Sequence, residues 1–473
     1  MYTSNMCVFT VLCDFSLHEC NGVLFTMRKN LFAYLFILSI VSYTTVYYIC
    51  SHRSQQQFII NSYNEEKLTE LEQKIEFERK AIHALLVRLN TSMQMKKNDK
   101  RLFNKIGNES EVILEADQLY ERRREELLRH PPEAIAVLVM ACDRVTVTRC
   151  LDQLLKYQPD STYFPIIVSQ DCDHKPTAKA IRSYGDRLYH IQQPDQSDIQ
   201  VSSEEIMFQG YFKIARHYGW ALNQMFNIFN FNTTIIIEDD LDVSPDIFEY
   251  FLGTLPLLHA DPTLWCVSAW NDNGKLALVN TAEKDVIYRT DFFPGLGWML
   301  NKQVWAEISV KWPTSFWDDW LRQPQQRKNR ACLRPELSRT RTFGKTGVSN
   351  GLFYENHLKF IYLNDQFVPF TQKNLTFLLK GYYDKQFLQA VYKSRIVTYR
   401  DLKLGYIFDG PVCIQYYTKD QFNRIAKAFG LMDDYRGGVP RTAYRGIVTF
   451  YYKKLRVYIA PHANWKGYDL TWS

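Results

Sequence analysis

Residues 235–242 read IIIEDDLD, an apolar run of branched residues that ends in the carboxylates Glu238, Asp239 and Asp240. The segment Thr233–Ile237 is typical of a buried strand in a parallel sheet. In open α/β sheets, ligands bind at the carboxyl ends of the strands. Three adjacent carboxylates repel one another unless a positive group neutralises them. The stretch therefore predicts either a site for a hard cation, Mn²⁺ or Mg²⁺, shared with substrate phosphates, or an exposed acidic turn that caps the next helix.

The segments on either side of this run alternate between strand-like and helix-like patterns. This alternation predicts an α/β fold with a mostly parallel sheet covered by helices. Strands are expected at Ala134–Cys142 and Pro165–Ser169. From about Lys380 the pattern shifts to short segments such as Gly446–Tyr452 and Leu455–Ala460, which predicts a second, smaller domain that contains strands.

A core-packed helix is expected between Ser202 and Asn230. A capping box of Ser202 with Glu205 is expected to open it. Apolar side chains then recur at helical spacing, at Met207, Tyr211, Ile214, Tyr218 and Met225.

Composition limits the function classes that this chain can belong to. With 473 residues, 46% of them hydrophobic, the chain is long enough for two or three domains with a sizeable core. The net charge of +6 is a mild excess of 57 basic over 51 acidic side chains, so no polybasic nucleic-acid footprint and no nucleic-acid partner are expected.

An uncharged, apolar run at Leu31–Cys50 predicts one transmembrane signal anchor. Arg28 and Lys29 precede it, so the short N-terminal tail is expected in the cytosol and the remaining chain in a lumen. A cleaved signal peptide is the alternative, disfavoured because the run is long and has no small-x-small cleavage site. Met27 offers a start codon besides Met1.

The charged segment after this run predicts a helical stalk that ends at Pro131 and Pro132. Its heptad trace, broken by Glu78, consists of Leu68, Leu71, Ile75, Ile82, Leu85 and Leu89. A homodimeric coiled coil and a solvated single helix both fit so short a trace.

Six cysteines follow the stalk: Cys142, Cys150, Cys172, Cys266, Cys332 and Cys413. Their spacing has no C-x-x-C pair, which disfavours a zinc site. Some are expected to pair in an oxidising lumen, and the sequence leaves the connectivity open. N-glycosylation sequons occur at Asn90, Asn108, Asn232 and Asn374.

A second acidic pair, Asp318 and Asp319, lies in the aromatic string FWDDW at Phe316–Trp320. An apolar surround is expected to raise the pKa of a carboxyl group and to suit it to general-base work. Tryptophan rings suit packing against a sugar. The alternative is a structural turn with buried tryptophans.

Gly347–Gly351, GVSNG, matches the nucleophile elbow of hydrolases, but the preceding RTFGKT is no apolar strand. A loop that closes over a ligand is the preferred interpretation.

From about Ala134 to its C-terminus, the chain resembles the N-acetylglucosaminyltransferase I family. The strings that carry the resemblance are ACDR (141–144), VSQDC (168–172), IIIEDDLDVSPD (235–246), LWCVSAWNDNG (264–274), YRTDFFPGLGW (288–298), FWDDW (316–320), RGIVTF (445–450) and GYDLTW (467–472). The first 130 residues match only in architecture.

The resemblance implies a GT-A fold with a nucleotide-sugar-binding sheet, and residence in the Golgi membrane. It implies inverting, Mn²⁺-dependent transfer of GlcNAc from UDP-GlcNAc to the 2-hydroxyl of the α-1,3 arm mannose of a Man₅GlcNAc₂ N-glycoprotein. The implied division of the chain is a cytosolic tail at 1–30, a signal anchor at 31–50, a luminal helical stalk at 51–132, a donor-binding catalytic domain at 133–345, a loop and linker at 346–380 and a C-terminal domain at 381–473.

The resemblance also assigns site residues. Asp240 would ligate Mn²⁺ and Asp318 would be the catalytic base that takes the proton of the acceptor hydroxyl. The residues that would contact the donor are Arg144 at the diphosphate, Asp171 and His217 near the uracil, Glu238 and Asp239 at the sugar and nucleoside, Trp317 beside the GlcNAc, and Ser349 in a loop over the donor. Disulfides would join Cys142 to Cys172 and Cys266 to Cys332, leaving Cys150 and Cys413 unpaired.

Two other functions compete with this interpretation. GlcNAc transfer to O-linked mannose on proteins would share the donor chemistry. A non-catalytic Golgi lectin or coiled-coil tether would not need both acidic strings together.

Overall fold

The computed structural model describes residues 38–45, 47–48, 51, 114–129, 133–349, 351 and 353–472. The chain divides into two compact units, 1–105 and 106–473. In the first unit residues 38–45 are helical. Across the described ranges no helix has the length and apolar character needed to cross a membrane. The predicted anchor Leu31–Cys50 lies partly outside these ranges, and the heptad trace of the stalk lies wholly outside them.

The second unit is built around an eight-stranded mixed sheet. The strands up to residue 342, including two in a small separate ladder, are β1 (Ala136–Ala141), β2 (Ile166–Gln170), β3 (Tyr189–Gln192), β4 (Thr233–Glu238), β5 (Leu241–Val243), β6 (Leu264–Ser268), β7 (Ile287–Thr290), β8 (Trp298–Asn301), β9 (Ala331–Pro335) and β10 (Thr340–Thr342). The order in the large sheet is β3-β2-β1-β4-β8-β6-β9-β7. The strands β5 and β10 pair antiparallel beside it.

The prediction of a mostly parallel sheet holds for one half of it. Strands β1 to β4 run parallel, whereas β8 lies antiparallel to both β4 and β6. Strand β9 is parallel to β6, and β7 is antiparallel to β9. Antiparallel neighbours need no helical crossover, which is why the strand–helix alternation in the sequence fades after β6.

Helices cover both faces of the sheet. They are α1 (114–129), followed by α2 (Val147–Tyr157), α3 (Lys175–Arg182), α4 (Gln209–Asn223), α5 (Ile247–Ala260), α6 (Lys302–Ser309), α7 (Trp317–Arg322), α8 (Pro324–Arg327), α9 (Lys380–Lys393), α10 (Tyr399–Leu404) and α11 (Lys419–Phe429). Alternate residues of β1 enter different cores: Val137 and Val139 pack with α2 and α5, whereas Leu138 and Met140 pack with α4 and α6. Burial on both faces explains the unbroken apolar strings of the central strands.

Helix α4 begins later than predicted. The Ser202 hydroxyl donates to the Glu205 carboxylate at 2.8 Å and does not cap a helix, and Met207 is 78% exposed. Tyr218 and Met225 are buried as expected. The helical spacing was therefore informative only from Gln209 onward.

The end of the predicted stalk packs against the globular unit. In α1, Tyr120 is 1% exposed and its hydroxyl accepts a hydrogen bond from the Leu375 N–H at 2.9 Å. The Tyr382 hydroxyl donates to Asp117 at 3.1 Å. One aromatic anchor among charged neighbours gives little periodic signal, so the sequence did not reveal this contact.

A second, smaller sheet follows, as the pattern after Lys380 predicts. Its strands are β11 (Arg395–Ile396), β12 (Val412–Tyr416), β15 (Val448–Tyr452) and β16 (Leu455–Pro461), in the order β11-β12-β16-β15. A two-stranded hairpin of β13 (Tyr435–Arg436) and β14 (Val439–Pro440) precedes β15. The domain boundaries drawn from the sequence stay predictions.

The structure contains the two disulfides that the resemblance implied. Cys142–Cys172 links the residues just after β1 and β2, with Cα atoms 5.2 Å apart. Cys266–Cys332 joins register partners on β6 and β9. Within the described ranges Cys150 and Cys413 are free and buried. Both implied pairings are confirmed.

A buried ion pair connects the edge strand β7 to the end of α5 and the start of α9. Arg289 on β7 is 1% exposed and lies 2.7 Å from the Asp261 carboxylate at the end of α5. It also donates to the Leu378 carbonyl, and Asp261 accepts from the Lys380 N–H at the start of α9.

Replacing Arg289 by Met should lower the free energy of unfolding by about 3–5 kcal/mol, because it leaves Asp261 charged and buried without its cation. Lys359→Met is the matched control, since its pair with Glu355 is exposed and should contribute less than about 1 kcal/mol. Urea unfolding of the full chain measures both. Equal losses would contradict this role of the buried pair.

Candidate active site

The site is built at the carboxyl end of β4, where the predicted carboxylates lie. Glu238 is the last residue of the strand. The Asp239 N–H donates to the Met140 carbonyl of β1 at 3.0 Å, which extends the ladder by one residue. The Asp240 carbonyl accepts from the Phe343 N–H at 2.9 Å. The backbone of both neighbouring segments thus fixes the turn that presents Asp239 and Asp240.

One guanidinium faces these carboxylates. Arg144, just beyond β1, donates through Nη1 to Asp239 Oδ1 at 2.7 Å and to Asp240 Oδ2 at 3.0 Å. Its Nη2 donates to the Thr346 carbonyl at 2.8 Å. The structure therefore brings together Arg144, Asp239 and Asp240, and ties them to the loop at 343–349.

The charge of this cluster is not balanced. Burial, with repulsion from Asp240, raises the pKa of Glu238 to about 7. Burial also raises the pKa of Asp239 to about 6, although Arg144 opposes the shift. The pKa of Asp240 is raised by burial in the same way. One guanidinium cannot neutralise three carboxylates. Further positive charge would therefore stabilise the ionised form of this cluster.

A hard divalent cation would supply this charge. Its oxygen ligands would come from carboxylates such as Asp240, whose side chain is 12% exposed. In the described part of the chain, no group of three or more His, Cys, Asp or Glu side chains is arranged to hold a metal by itself. The residues therefore suit a cation that completes its coordination with ligands from a bound substrate.

The fourth carboxylate of the string is structural. Asp242 accepts two hydrogen bonds from Arg149, at 2.7 and 2.6 Å, and one from Arg341 at 3.0 Å. Burial alone would raise its pKa, but these partners hold the pKa below the usual value.

Two residues predicted to contact the sugar donor, His217 and Asp171, lie where α4 packs against the end of β2. His217 is buried, and its Nε2 is 2.8 Å from the Ser169 hydroxyl. Burial lowers the pKa of His217 to about 3, so the imidazole is neutral. Asp171 follows β2 and is also buried, which raises its pKa. The neutral imidazole of His217 and the buried carboxyl group of Asp171 can both form hydrogen bonds with a polar heterocyclic ring.

Trp317 lies in an aromatic stack behind the carboxylates. It is 7% exposed, and its ring stacks on Tyr218 with centroids 4.2 Å apart and on Trp298 at 5.9 Å. The Tyr218 hydroxyl donates to Glu238 Oε1 at 2.9 Å. Trp317 therefore supports Glu238 through Tyr218 in this structure.

Asp318 does not have the raised pKa that its apolar neighbours predicted. Burial favours a rise, but the Arg322 guanidinium, 2.7 Å away, outweighs it and lowers the pKa. The side chain is 40% exposed. The predicted rise in pKa was wrong because Arg322, one helical turn after Asp318 and just outside the FWDDW string, pairs with the carboxylate.

Ser349 is exposed, in the loop that follows β10. Within the described residues no hydrogen bond or ion pair joins it to the carboxylates, and Asn350 lies outside those residues. The same loop is close to the site at Gly344, where a Cβ would come 2.0 Å from Asp240 Oδ2. Only glycine fits so near this carboxylate.

Sequence reasoning missed three residues of the site. Tyr218 was predicted only as a core residue of α4, and neither Arg322 nor Gly344 was singled out. The spacing of Arg322, four residues after Asp318 on a helix, is a signal that could have identified it.

The profile of the GNT-I family matches residues 33–472. An alpha-1,3-mannosyl-glycoprotein 2-beta-N-acetylglucosaminyltransferase of Arabidopsis thaliana is 41% identical over 318 residues, which cover 67% of this chain and 71% of the relative.

Similarity to solved structures is weak. A fragment of S. aureus TarS in complex with UDP-GlcNAc is 12% identical, with a TM-score of 0.32 and coverage of 63% of this chain and 84% of that one. The mannosyltransferase PcManGT of Pyrobaculum calidifontis, in complex with GDP-Man and Mn²⁺, is 16% identical, with a TM-score of 0.27 and coverage of 43% and 57%. At these TM-scores the likeness carries no argument.

The family match, in contrast, extends over nearly all of the chain, from residue 33 to residue 472. The relative from Arabidopsis thaliana is well above the identity at which membership is in doubt. This chain belongs to the GNT-I family.

Proposed function

We propose that the chain transfers GlcNAc from UDP-GlcNAc, with inversion, to the 2-hydroxyl of the α-1,3 arm mannose of Man₅GlcNAc₂ N-glycans. The observation that carries the proposal is the cluster of three carboxylates at the end of β4, in a chain of the GNT-I family. Two of them, the buried Asp239 and Asp240, pair with the Arg144 guanidinium. The name of the Arabidopsis thaliana relative supports the donor sugar and the mannose acceptor.

The donor would bind along the carboxyl edge of the GT-A sheet. Arg144 would turn from its carboxylates toward the diphosphate, since a guanidinium pairs with phosphate in the same geometry. Asp171 and His217 would contact the uracil, and Glu238 and Asp239 the sugar and nucleoside. Trp317 would lie by the GlcNAc through the stack with Tyr218, and Ser349 would cover the donor from its loop.

Asp240 would hold Mn²⁺ together with the donor diphosphate. When bound, the cation would supply positive charge that stabilises the leaving nucleoside diphosphate. The unbalanced negative charge of the three carboxylates supports this assignment.

Asp318 would act as the catalytic base. The mannose O2 would form a bond to C1 of GlcNAc while the bond from C1 to the UDP oxygen breaks, and the hydroxyl proton would move to the Asp318 carboxylate. One displacement inverts C1 and needs no covalent nucleophile. The lowered pKa keeps Asp318 ionised and able to accept a proton. Its electrostatic influence on Glu238 supports a position near the donor end of the site.

We further propose that the chain resides in the Golgi membrane as a single-pass type II protein with its catalytic part in the lumen. The apolar run at Leu31–Cys50 and the adjacent Arg28 and Lys29 support this topology. A homodimer through the stalk stays a proposal that rests on the heptad trace.

The proposal predicts the product of the full chain incubated with UDP-GlcNAc and Mn²⁺. Offered Man₅GlcNAc₂ and an O-mannosyl peptide together, the protein should add one HexNAc to the N-glycan alone, as measured by mass spectrometry, and EDTA should abolish the addition. Addition to the peptide alone would move the chain to the O-mannose pathway. Addition to neither would favour a non-catalytic lectin.

Two conservative variants, each replacing an aspartate by asparagine, should distinguish the catalytic base from the metal ligand. Asp318→Asn should bind UDP-GlcNAc normally but lose at least about 100-fold in turnover, because the base is removed. Asp240→Asn should weaken Mn²⁺-dependent binding of UDP-GlcNAc, because a cation ligand is removed. Calorimetry of donor binding and initial rates measure both.

Asp285→Asn is the control, since Asp285 pairs with Lys373 and contacts none of the site residues. Near-normal turnover of Asp318→Asn would refute the assignment of the base. Unchanged donor binding by Asp240→Asn would refute that of the metal ligand.

A further inference from the structure

The short helix α7 brings two carboxylates to one arginine. Asp318 and Asp319 lie in its first turn and Arg322 in its last. Arg322 Nη1 donates to Asp318 Oδ2 at 2.7 Å and to Asp319 Oδ1 at 2.8 Å. The two ion pairs share one nitrogen, so the guanidinium cannot move toward one carboxylate without leaving the other.

The position of Arg322 is fixed from the sheet side. Its side chain is 8% exposed, its Nε donates to the Phe293 carbonyl at 3.1 Å, and its guanidinium lies 4.9 Å from the centre of the Phe292 ring. Burial, the hydrogen bond to Phe293 and the contact with the Phe292 ring together restrict the orientation of the guanidinium. Asp318, at 40% exposure, is by comparison open to a bound molecule.

Asp319 has a second cation, which comes from the C-terminal hairpin. Arg436 Nε on β13 lies 3.0 Å from Asp319 Oδ1. The turn of the hairpin lies close to α7. A Cβ added at Gly437 would lie 2.7 Å from the Arg322 carbonyl oxygen. Arg436 and Arg322 therefore share the neutralisation of Asp319, and this weakens the pull of Asp319 on Arg322.

The pairing continues beyond Arg436. Asp434 lies 3.5 Å from Arg436 and 2.8 Å from Arg441, and Arg441 lies 2.7 Å from Asp272. We call this series of alternating charges, from Asp318 to Asp272, the charge chain. Its seven members are Asp318, Arg322, Asp319, Arg436, Asp434, Arg441 and Asp272. The charge chain thereby connects the loop after β6 to α7 through the C-terminal hairpin.

We propose that Arg322 is the positioning residue of Asp318, and that Arg436 of the C-terminal hairpin tunes this interaction by helping to neutralise Asp319. The inference rests on the proposed role of Asp318 as the base. The groups that face Asp318 electrostatically are Tyr211 and Tyr218 of α4, Glu238 of β4, and Asp319 and Arg322 of its own helix. Arg322 is the cation in this set, so it decides both the orientation and the proton affinity of the carboxylate.

The test is the pH dependence of kcat/KM for the acceptor at saturating UDP-GlcNAc and saturating Mn²⁺, so that loss of the cation at low pH does not set the acidic limb. Arg322→Gln should move the acidic limb to higher pH by about one unit or more, because Asp318 loses its cation and keeps its acidic neighbours. Arg322→Lys should restore the limb in large part, since the charge returns without the shared geometry. Arg436→Gln should shift the limb in the same direction by a smaller amount. The KM for UDP-GlcNAc should change less than about threefold in all of them.

Arg330→Gln is the matched control, because Arg330 pairs with Glu307 and has no contact with the charge chain. A variant that is merely less stable would lose activity at every pH and leave the limb in place. An unmoved limb in Arg322→Gln, measured on protein whose thermal transition shows it to be folded, would overturn the inference. If Asp318→Asn retained turnover, the proposed base itself would fail, whatever the Arg322 variants show.

Discussion

Uncompensated negative charge at the end of β4 is the constraint on which the rest of this structure depends. Glu238, Asp239 and Asp240 are adjacent, and Asp239 and Asp240 are only 4% and 9% exposed, so water screens the repulsion between these charges weakly. Arg144 supplies one positive charge. A cation or a cationic ligand at this position would relieve the repulsion that remains.

The architecture around β4 holds this cluster in place. The ladder between β1 and β4 sets the distance between Arg144 and its carboxylates, and the disulfide Cys142–Cys172 fixes the segment that precedes Arg144 to the end of β2. On the other side, Tyr218 holds Glu238 and is itself stacked on Trp317. The same aromatic layer carries α7, so the candidate base and the candidate metal ligand share one rigid support.

Much of this arrangement could be predicted from the sequence. The branched run before Glu238 predicted a central strand with carboxylates at its functional end, and matching strings predicted both disulfides. Contacts made by single side chains were not predictable, because they leave no periodic signal: Tyr120 docks α1, and Arg322 reverses the expected pKa shift of Asp318. The capping box at Ser202 failed because its partner, Glu205, bonds the hydroxyl directly. Antiparallel β8 followed a loop connection that the strand–helix pattern cannot show.

The claim that a cation neutralises the carboxylates at the end of β4 is tested most directly by the release of protons on metal binding. Mn²⁺ would be titrated calorimetrically into the full chain in the presence of UDP-GlcNAc and without acceptor, in two buffers of different ionisation enthalpy. The pH would lie between the pKa values of about 6 for Asp239 and about 7 for Glu238. Because bound cations displace protons from carboxyl groups, the account predicts buffer-dependent heats and an affinity for Mn²⁺ that rises with pH through this window. Buffer-independent heats, with an affinity that does not change with pH, would contradict it.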